Sequence, residues 1–220
     1  MNILFIGNSY TYFHDMPTLF SRLCGCSGKQ ARVFSVTRGG RKLQENLRSE
    51  DECTRQLEAV LRENAIQVCF LQEHSVVPIT DVSQFRSSLE GLMHKLGPQV
   101  RFVLYETWAR KAGSEFLAEL RLTPRSMAQK LFAAYGSATA ELRTELSPVG
   151  ECFLEIYEKH PEIELYDPDL THPSYEGSCL AAIVHFRTLF GEYPADTGWL
   201  GLSAPVQDVF RQTVEQVFRK

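Results

Sequence analysis

The chain has no run of 18 apolar residues, so nothing in it reads as a membrane-spanning helix. Its first apolar run, Ile3 to Ile6, has no basic stretch before it and breaks at Gly7. That is not the shape of a secretory leader, and the expected compartment is the cytoplasm. Positive charge is not in excess: 23 Lys and Arg stand against 27 Asp and Glu, for a net −4. This balance argues against a general nucleic-acid binder. The six cysteines include one close pair, Cys24-Gly-Cys26, with no further ligands to complete a zinc site. A chain of 220 residues buries enough surface to stand without disulfides, so all six are expected as free thiols. There is no phosphate loop, no dinucleotide fingerprint and no histidine pair at metal spacing, so neither a metal nor a cofactor is expected. Gly-x-Ser-x-Gly is also absent, because residue 11 is Thr, which sets aside the nucleophile elbow of the α/β-hydrolases.

What is present is an alternation of strand and helix patterns without a linker or repeat, expected as one domain over residues 1–220. Asn2–Ile6, Gln30–Val36, Gln67–Leu71 and Val100–Tyr105 read as buried strands, and Glu162–Tyr166, which alternates, as a fifth. Helical spacing of apolar residues covers Asp15–Cys26, Glu50–Asn64, Ser83–Leu96, Thr123–Leu142, Ser174–Phe190 and Ser203–Phe218. This order implies an α/β protein, with a parallel sheet covered by helices on both faces. Glu106–Leu122 and Leu146–Glu151 read as loops, the first long enough to form a lid.

In such a sheet the ligand site lies beyond the carboxyl ends of the strands. The residues found there are Gly7-Asn8-Ser9, Arg38-Gly39-Gly40, Gln72-Glu73-His74, Glu106-Thr107-Trp108-Ala109-Arg110, and Asp169-Leu170-Thr171-His172. A serine, a glycine pair, an amide and an Asp-x-x-His provide a nucleophile, oxyanion donors, and a base with its orienter. Any one of these has a plain structural reading, as a helix cap, a turn or a buried amide. Their conjunction at successive strand ends points to a hydrolytic site. Gly7 is expected to let the backbone turn sharply off the first strand. Ser9 is expected at the start of a helical segment whose dipole favours negative charge.

These motifs resemble the SGNH (GDSL-like) hydrolases, in particular a bacterial branch with a "GNSYT" serine block. "IGNSYT" stands where the family usually has Gly-Asp-Ser, with Asn8 replacing the aspartate. "TRGGRKL" resembles the glycine block, "FLQEHS" stands at the Gly-x-Asn-Asp block, and "DLTHPSYEG" carries Asp-x-x-His; "ETWAR" and "SPVGECF" are also similar. The resemblance runs from Asn2 to Pro194 and implies a three-layer α/β/α fold, a doubly wound five-stranded parallel sheet in flavodoxin-like order. It implies Ser9 as nucleophile, His172 as general base and Asp169 as its orienter. Oxyanion donors would be the N–H of Ser9, the N–H of Gly40 (or Gly39) and the side chain of Gln72, where the family has Asn.

The implied activity is a serine esterase, an O-deacetylase acting on short acyl esters of a sugar-like small molecule through an acyl-enzyme. The alternatives are acyl transfer on the same site, or a binding module with a decayed site. Tyr12, His74, Trp108, Arg110 and Arg41 are expected to touch substrate. Arg38, Arg41, Lys42, Arg110 and Lys111 all lie just past strand ends, either as a solvated rim or as a cationic mouth for an anionic, acylated sugar. His185, within an apolar helix, reads as a core residue. No nucleic-acid or membrane partner is implied, and the oligomeric state is left open.

Overall fold

Four apolar stretches and one very short one form the sheet. The computed structural model describes residues 1–48 and 50–219. Strands β1 (Asn2–Gly7), β2 (Arg32–Thr37), β3 (Val68–Leu71), β4 (Arg101–Tyr105) and β5 (Glu145–Ser147) make one sheet in the order β2-β1-β3-β4-β5. Every pairing is parallel. The strand order reverses at β1, so the crevice beyond β1 is the switch point where such sheets bind ligands.

Successive side chains of a strand point to opposite faces, and the central strands are apolar on both. Ile3 and Phe5 of β1 join one core with Val68, Phe70, Val103 and Tyr105, beneath helices α1 (Met16–Cys26), α5 (Val149–Lys159), α6 (Tyr175–Phe190) and α7 (Ala204–Val217). Leu4 and Ile6 join the other with Cys69, Leu71 and Leu104, beneath α2 (Glu52–Glu63), α3 (Val82–Leu96) and α4 (Pro124–Leu142). This is the three-layer, doubly wound arrangement expected. The six cysteines are free, and all but Cys26 are buried. Among the described residues no helix is long and apolar enough to cross a membrane, and no cluster of ligating side chains fits a metal ion.

The fifth strand is not the one anticipated. Glu162–Tyr166 forms no strand; Ile163 and Leu165 are buried, and Tyr166 makes only an isolated antiparallel bridge to Pro173. The true β5 lies at Glu145–Ser147, partly inside the anticipated Leu146–Glu151 loop, and leads directly into α5. Three residues are too few to show a period of two. The expected lid segment contains a short helical turn, Glu115–Glu119, and its first residues, Glu106 to Ala109, are buried.

Candidate active site

The backbone does leave β1 abruptly, with strand ending at Gly7 and helix starting at Ser9, and Gly7 serves this by close approach rather than by an unusual backbone angle. A Cβ there would run into Thr11 Oγ1 and come within 2.5 Å of Gln72 Oε1. The next residue, Asn8, ties three segments together. Its N–H donates to Gln72 Oε1 (2.8 Å), its Oδ1 accepts from Tyr10 N–H (3.1 Å), and its Nδ2 donates to the Arg41 carbonyl (3.0 Å). The last bond needs an N–H donor, which an ionised aspartate at this position would lack.

Ser9 opens a single helical turn, Ser9–Tyr12. His14 (φ 49°) and Asp15 (φ 53°) then take left-handed backbone angles before α1 begins at Met16. The long helix is therefore not continuous with Ser9, and the dipole at the serine is that of one turn, less than expected. This kink sets Phe13 flat against the His172 ring, 4.2 Å between centroids and 8° between planes.

The His172 loop folds onto the serine from the other side. The Tyr166–Pro173 bridge closes it, and Leu170 adopts φ 63° at its tip. Asp169 Oδ1 accepts from the backbone N–H of Thr171 (3.0 Å) and His172 (2.9 Å), and Asp169 Oδ2 is hydrogen-bonded to His172 Nδ1. His172 Nε2 lies 2.8 Å from Ser9 Oγ. Burial pulls the Asp169 carboxyl upward, but the bonds from the His172 ring and from the two backbone N–H groups outweigh it and hold the carboxyl below its ordinary value. Serine, imidazole and carboxylate thus stand in one hydrogen-bonded line. That line can move a proton from the hydroxyl to Nε2 while the carboxylate faces the developing positive charge.

Beside Ser9 lies a cavity of about 170 Å³, lined by residues that include Ser9, Gly40, His74, Ser75, Arg110 and His172. Gly40 (φ 68°) sits in the turn closed by Arg41 N–H to the Arg38 carbonyl (3.1 Å). Among the described residues neither the Ser9 nor the Gly40 N–H bonds to a protein acceptor. Gly40 rather than Gly39 lines the cavity.

Three expected site residues are elsewhere. Gln72 is fully buried beneath the serine turn. Its Oε1 accepts from Asn8 N–H and Thr11 Oγ1, and its Nε2 is engaged by the Glu73 carbonyl, so its amide does not reach the cavity as a donor. Arg41 is 3% exposed and points away, held bidentate by Asp51 and bonded to Asn46 Oδ1 (3.0 Å) and Thr54 Oγ1 (2.8 Å). The Arg41 guanidinium, with the Thr54 N–H, holds the Asp51 carboxyl far below its usual range. Trp108 is fully buried, sandwiched between Tyr10 (4.5 Å) and Phe153 (4.1 Å), with its indole N–H on the Thr171 carbonyl (3.1 Å). It braces the His172 loop from below and offers no face to a sugar. His74 and Arg110 do line the cavity. Tyr12 is exposed and stands over Gly39 at the rim, outside the cavity wall.

Of the two readings of the strand-end cations, a solvated rim or a cationic mouth, three of the five fit the rim. Arg38 and Arg41 pair with Asp51, and Lys111 pairs with Glu164. His185 is a fully buried core residue, its Nδ1 2.7 Å from Ser147 Oγ. Contributors that escaped the sequence reading include Phe13 and Ser75. Only Phe13 had a visible signal, as part of the aromatic run after the serine.

A serine at the exit of β1, hydrogen-bonded to the histidine of an Asp-x-x-His loop just ahead of α6, places the protein in a class of α/β folds with the site at the end of the first strand. No protein-family model and no curated protein matches the chain. Solved structures do. A protein of Slackia heliotrinireducens described as an SGNH hydrolase is 30% identical over 86% of this chain and 98% of its own, with a TM-score of 0.74. A DUF4886 family protein of Bacteroides uniformis, 15% identical, superposes over 99% of this chain and 94% of its own at a TM-score of 0.83. An acetyl xylan esterase, 17% identical, matches 86% of this chain and all of its own at 0.67. The chain belongs to the SGNH hydrolases.

Proposed function

We propose that the protein is a serine esterase that cleaves short, acetyl-type O-acyl esters of a small, sugar-like molecule. Ser9 Oγ attacks the ester carbonyl, His172 Nε2 takes the hydroxyl proton and returns it to the departing alcohol, and Asp169 holds the imidazole in the needed tautomer. The resulting acyl-enzyme is released by water activated at His172 Nε2. The backbone N–H groups of Ser9 and Gly40 receive the oxyanion. The observation that carries this reading is the 2.8 Å contact between Ser9 Oγ and His172 Nε2, backed by Asp169.

The cavity of about 170 Å³ favours a short acyl group over a long one. The name of the acetyl xylan esterase neighbour points the same way, at the level of fold. An intact line of three side chains weighs against a decayed binding module.

The test is hydrolysis of aryl acetate and longer aryl esters by wild type and Ser9→Ala side by side. Wild type is expected to prefer acetate, and Ser9→Ala to lose about 10⁴-fold or more in kcat/KM. Equal, slow hydrolysis by both proteins would remove the esterase reading. Adding a sugar alcohol as acceptor separates hydrolysis from acyl transfer through the product ratio.

A further inference from the structure

Arg110 is the one cation of the five strand-end cations that lines the cavity with Ser9. It is also set up differently from its neighbours. Arg38, Arg41 and Lys111 each have a carboxylate partner, whereas among the described residues no carboxylate lies within 4 Å of Arg110. Its guanidinium carbon is held 4.5 Å over the ring of Phe116, and its backbone N–H rests on Met127 Sδ at 3.5 Å. Its Nε is shielded from solvent and meets no described protein acceptor. Tyr10 and Ser75 line the same cavity as Arg110, and the buried Tyr10 hydroxyl has no described protein partner. His74 shares the wall, and its buried Nδ1 also lacks a described protein partner. Burial first, then the charges of Arg110 and Lys42, hold this imidazole below its ordinary value, so it stays neutral near pH 7 and adds hydrogen bonding without further charge.

A half-buried guanidinium without a counter-ion, braced by an aromatic face and flanked by neutral polar groups, is a receptor for an anion. Ser9 and Arg110 line one cavity of about 170 Å³, so an anion on Arg110 and an ester on Ser9 fit there as parts of one small molecule. We infer that this site selects esters bearing a carboxylate or similar anionic group a few bonds from the scissile carbonyl, with Arg110 as the residue that determines this preference. The inference rests on the esterase reading and narrows it. The anion could sit on the acyl side or on the alcohol side; its chemistry is the same in both.

Two matched pairs separate those sources. Ethyl hydrogen succinate against ethyl butyrate reads the acyl side, and acetoxyacetate against propyl acetate reads the alcohol side, each followed by acid release in a pH-stat. One pair is expected to favour its anionic member by about 10- to 100-fold in kcat/KM, mainly through KM. That preference should shrink as salt rises from about 0.05 to 0.5 M. Arg110→Met should bring the anionic-to-neutral ratio to about one. Arg110→Lys, which keeps the charge without the fork, should retain part of it.

Neutral esters cleaved as well as anionic ones in both pairs would overturn the inference while leaving the esterase reading intact. So would a parallel loss on both members in Arg110→Met, which would make Arg110 a general positioning residue. If no ester turns over, calorimetric titration of ethyl hydrogen succinate and acetoxyacetate into Ser9→Ala reads the site directly. Binding that Arg110→Met abolishes supports the inference, and absence of binding up to about 10 mM overturns it.

Discussion

The two walls of the site are held by different means. On the glycine-loop side the polar groups are buried and cross-linked. Asn8 bridges to the Arg41 carbonyl and to Gln72, Arg41 is enclosed by Asp51, Asn46 and Thr54, and Glu73 accepts the N–H groups of Leu43 (3.0 Å) and His74 (2.6 Å). On the histidine side, Asp169 is about half exposed and its bonds are local, to its own loop. There the bracing comes from aromatic packing, with Phe13 against the His172 ring and Trp108 below the Thr171 carbonyl. The side chains that anchor the serine turn, Asn8, Arg41, Gln72 and Glu73, therefore lie in the interior of the fold, while His172 and Asp169 belong to a surface turn. A lesion on the first side should appear as lost stability, and a lesion on the second as lost chemistry.

The largest expected effect tests the histidine side. Asp169→Asn should lower kcat by about 10³- to 10⁴-fold, since the amide stabilises the wrong imidazole tautomer and no charge faces the imidazolium. Its melting temperature should remain within about 2 °C of wild type, because the group is exposed and its partners are local. A large fall in melting temperature would erase the contrast between the walls.

Arg41→Met probes the other wall. It removes the buried partner of Asp51, Asn46 and Thr54, leaving Asp51 only Arg38 and the Thr54 N–H, and should lower the melting temperature by roughly 5–10 °C by calorimetry. The protein that remains folded should keep most of its esterase activity. Loss of activity without loss of stability would instead make Arg41 part of the chemistry.

The smallest effect sharpens the comparison through pH. Burial pushes the Glu73 carboxyl from 4.5 up to about 7, against the opposing pull of the Leu43 and His74 N–H groups. The folded state therefore holds this proton more tightly than the unfolded chain does. The resulting stability is fully present below about pH 4.5 and is lost as pH rises through about 7, a change of about 3 kcal/mol at most. Glu73→Gln keeps an acceptor for both N–H groups and should flatten the urea-measured stability between pH 4.5 and 7.5. An unchanged slope would mean that the carboxyl is ionised throughout and is paired in a way its surroundings do not suggest.

Much of this protein was legible along the chain. The long apolar strands, the helix faces and the residues at the strand ends all follow from local periodicity and from the rule that sites lie at the carboxyl edge of a parallel sheet. Ser9, Asp169 and His172 could be singled out because a serine after a first strand and an Asp-x-x-His are contiguous signals. β5 was not legible, because three residues carry no period and their strand state depends on pairing with β4. Glu162–Tyr166 misled for the converse reason: its alternation reflects burial of Ile163 and Leu165 in a loop beneath the histidine turn.

The sequence by itself therefore determined the layered α/β class, the edge on which chemistry sits and the residue types brought there, since each depends on neighbours within a few positions. Only the tertiary structure decided which side chains face the cavity. Gln72 turned inward because Gly7 leaves room for it, Trp108 became core because two rings enclose it, and Arg41 was drawn away by Asp51. Arg110 lines the wall, and among the described residues no carboxylate lies within 4 Å of it. Side-chain direction is settled by contacts between residues tens of positions apart, and no local pattern records those.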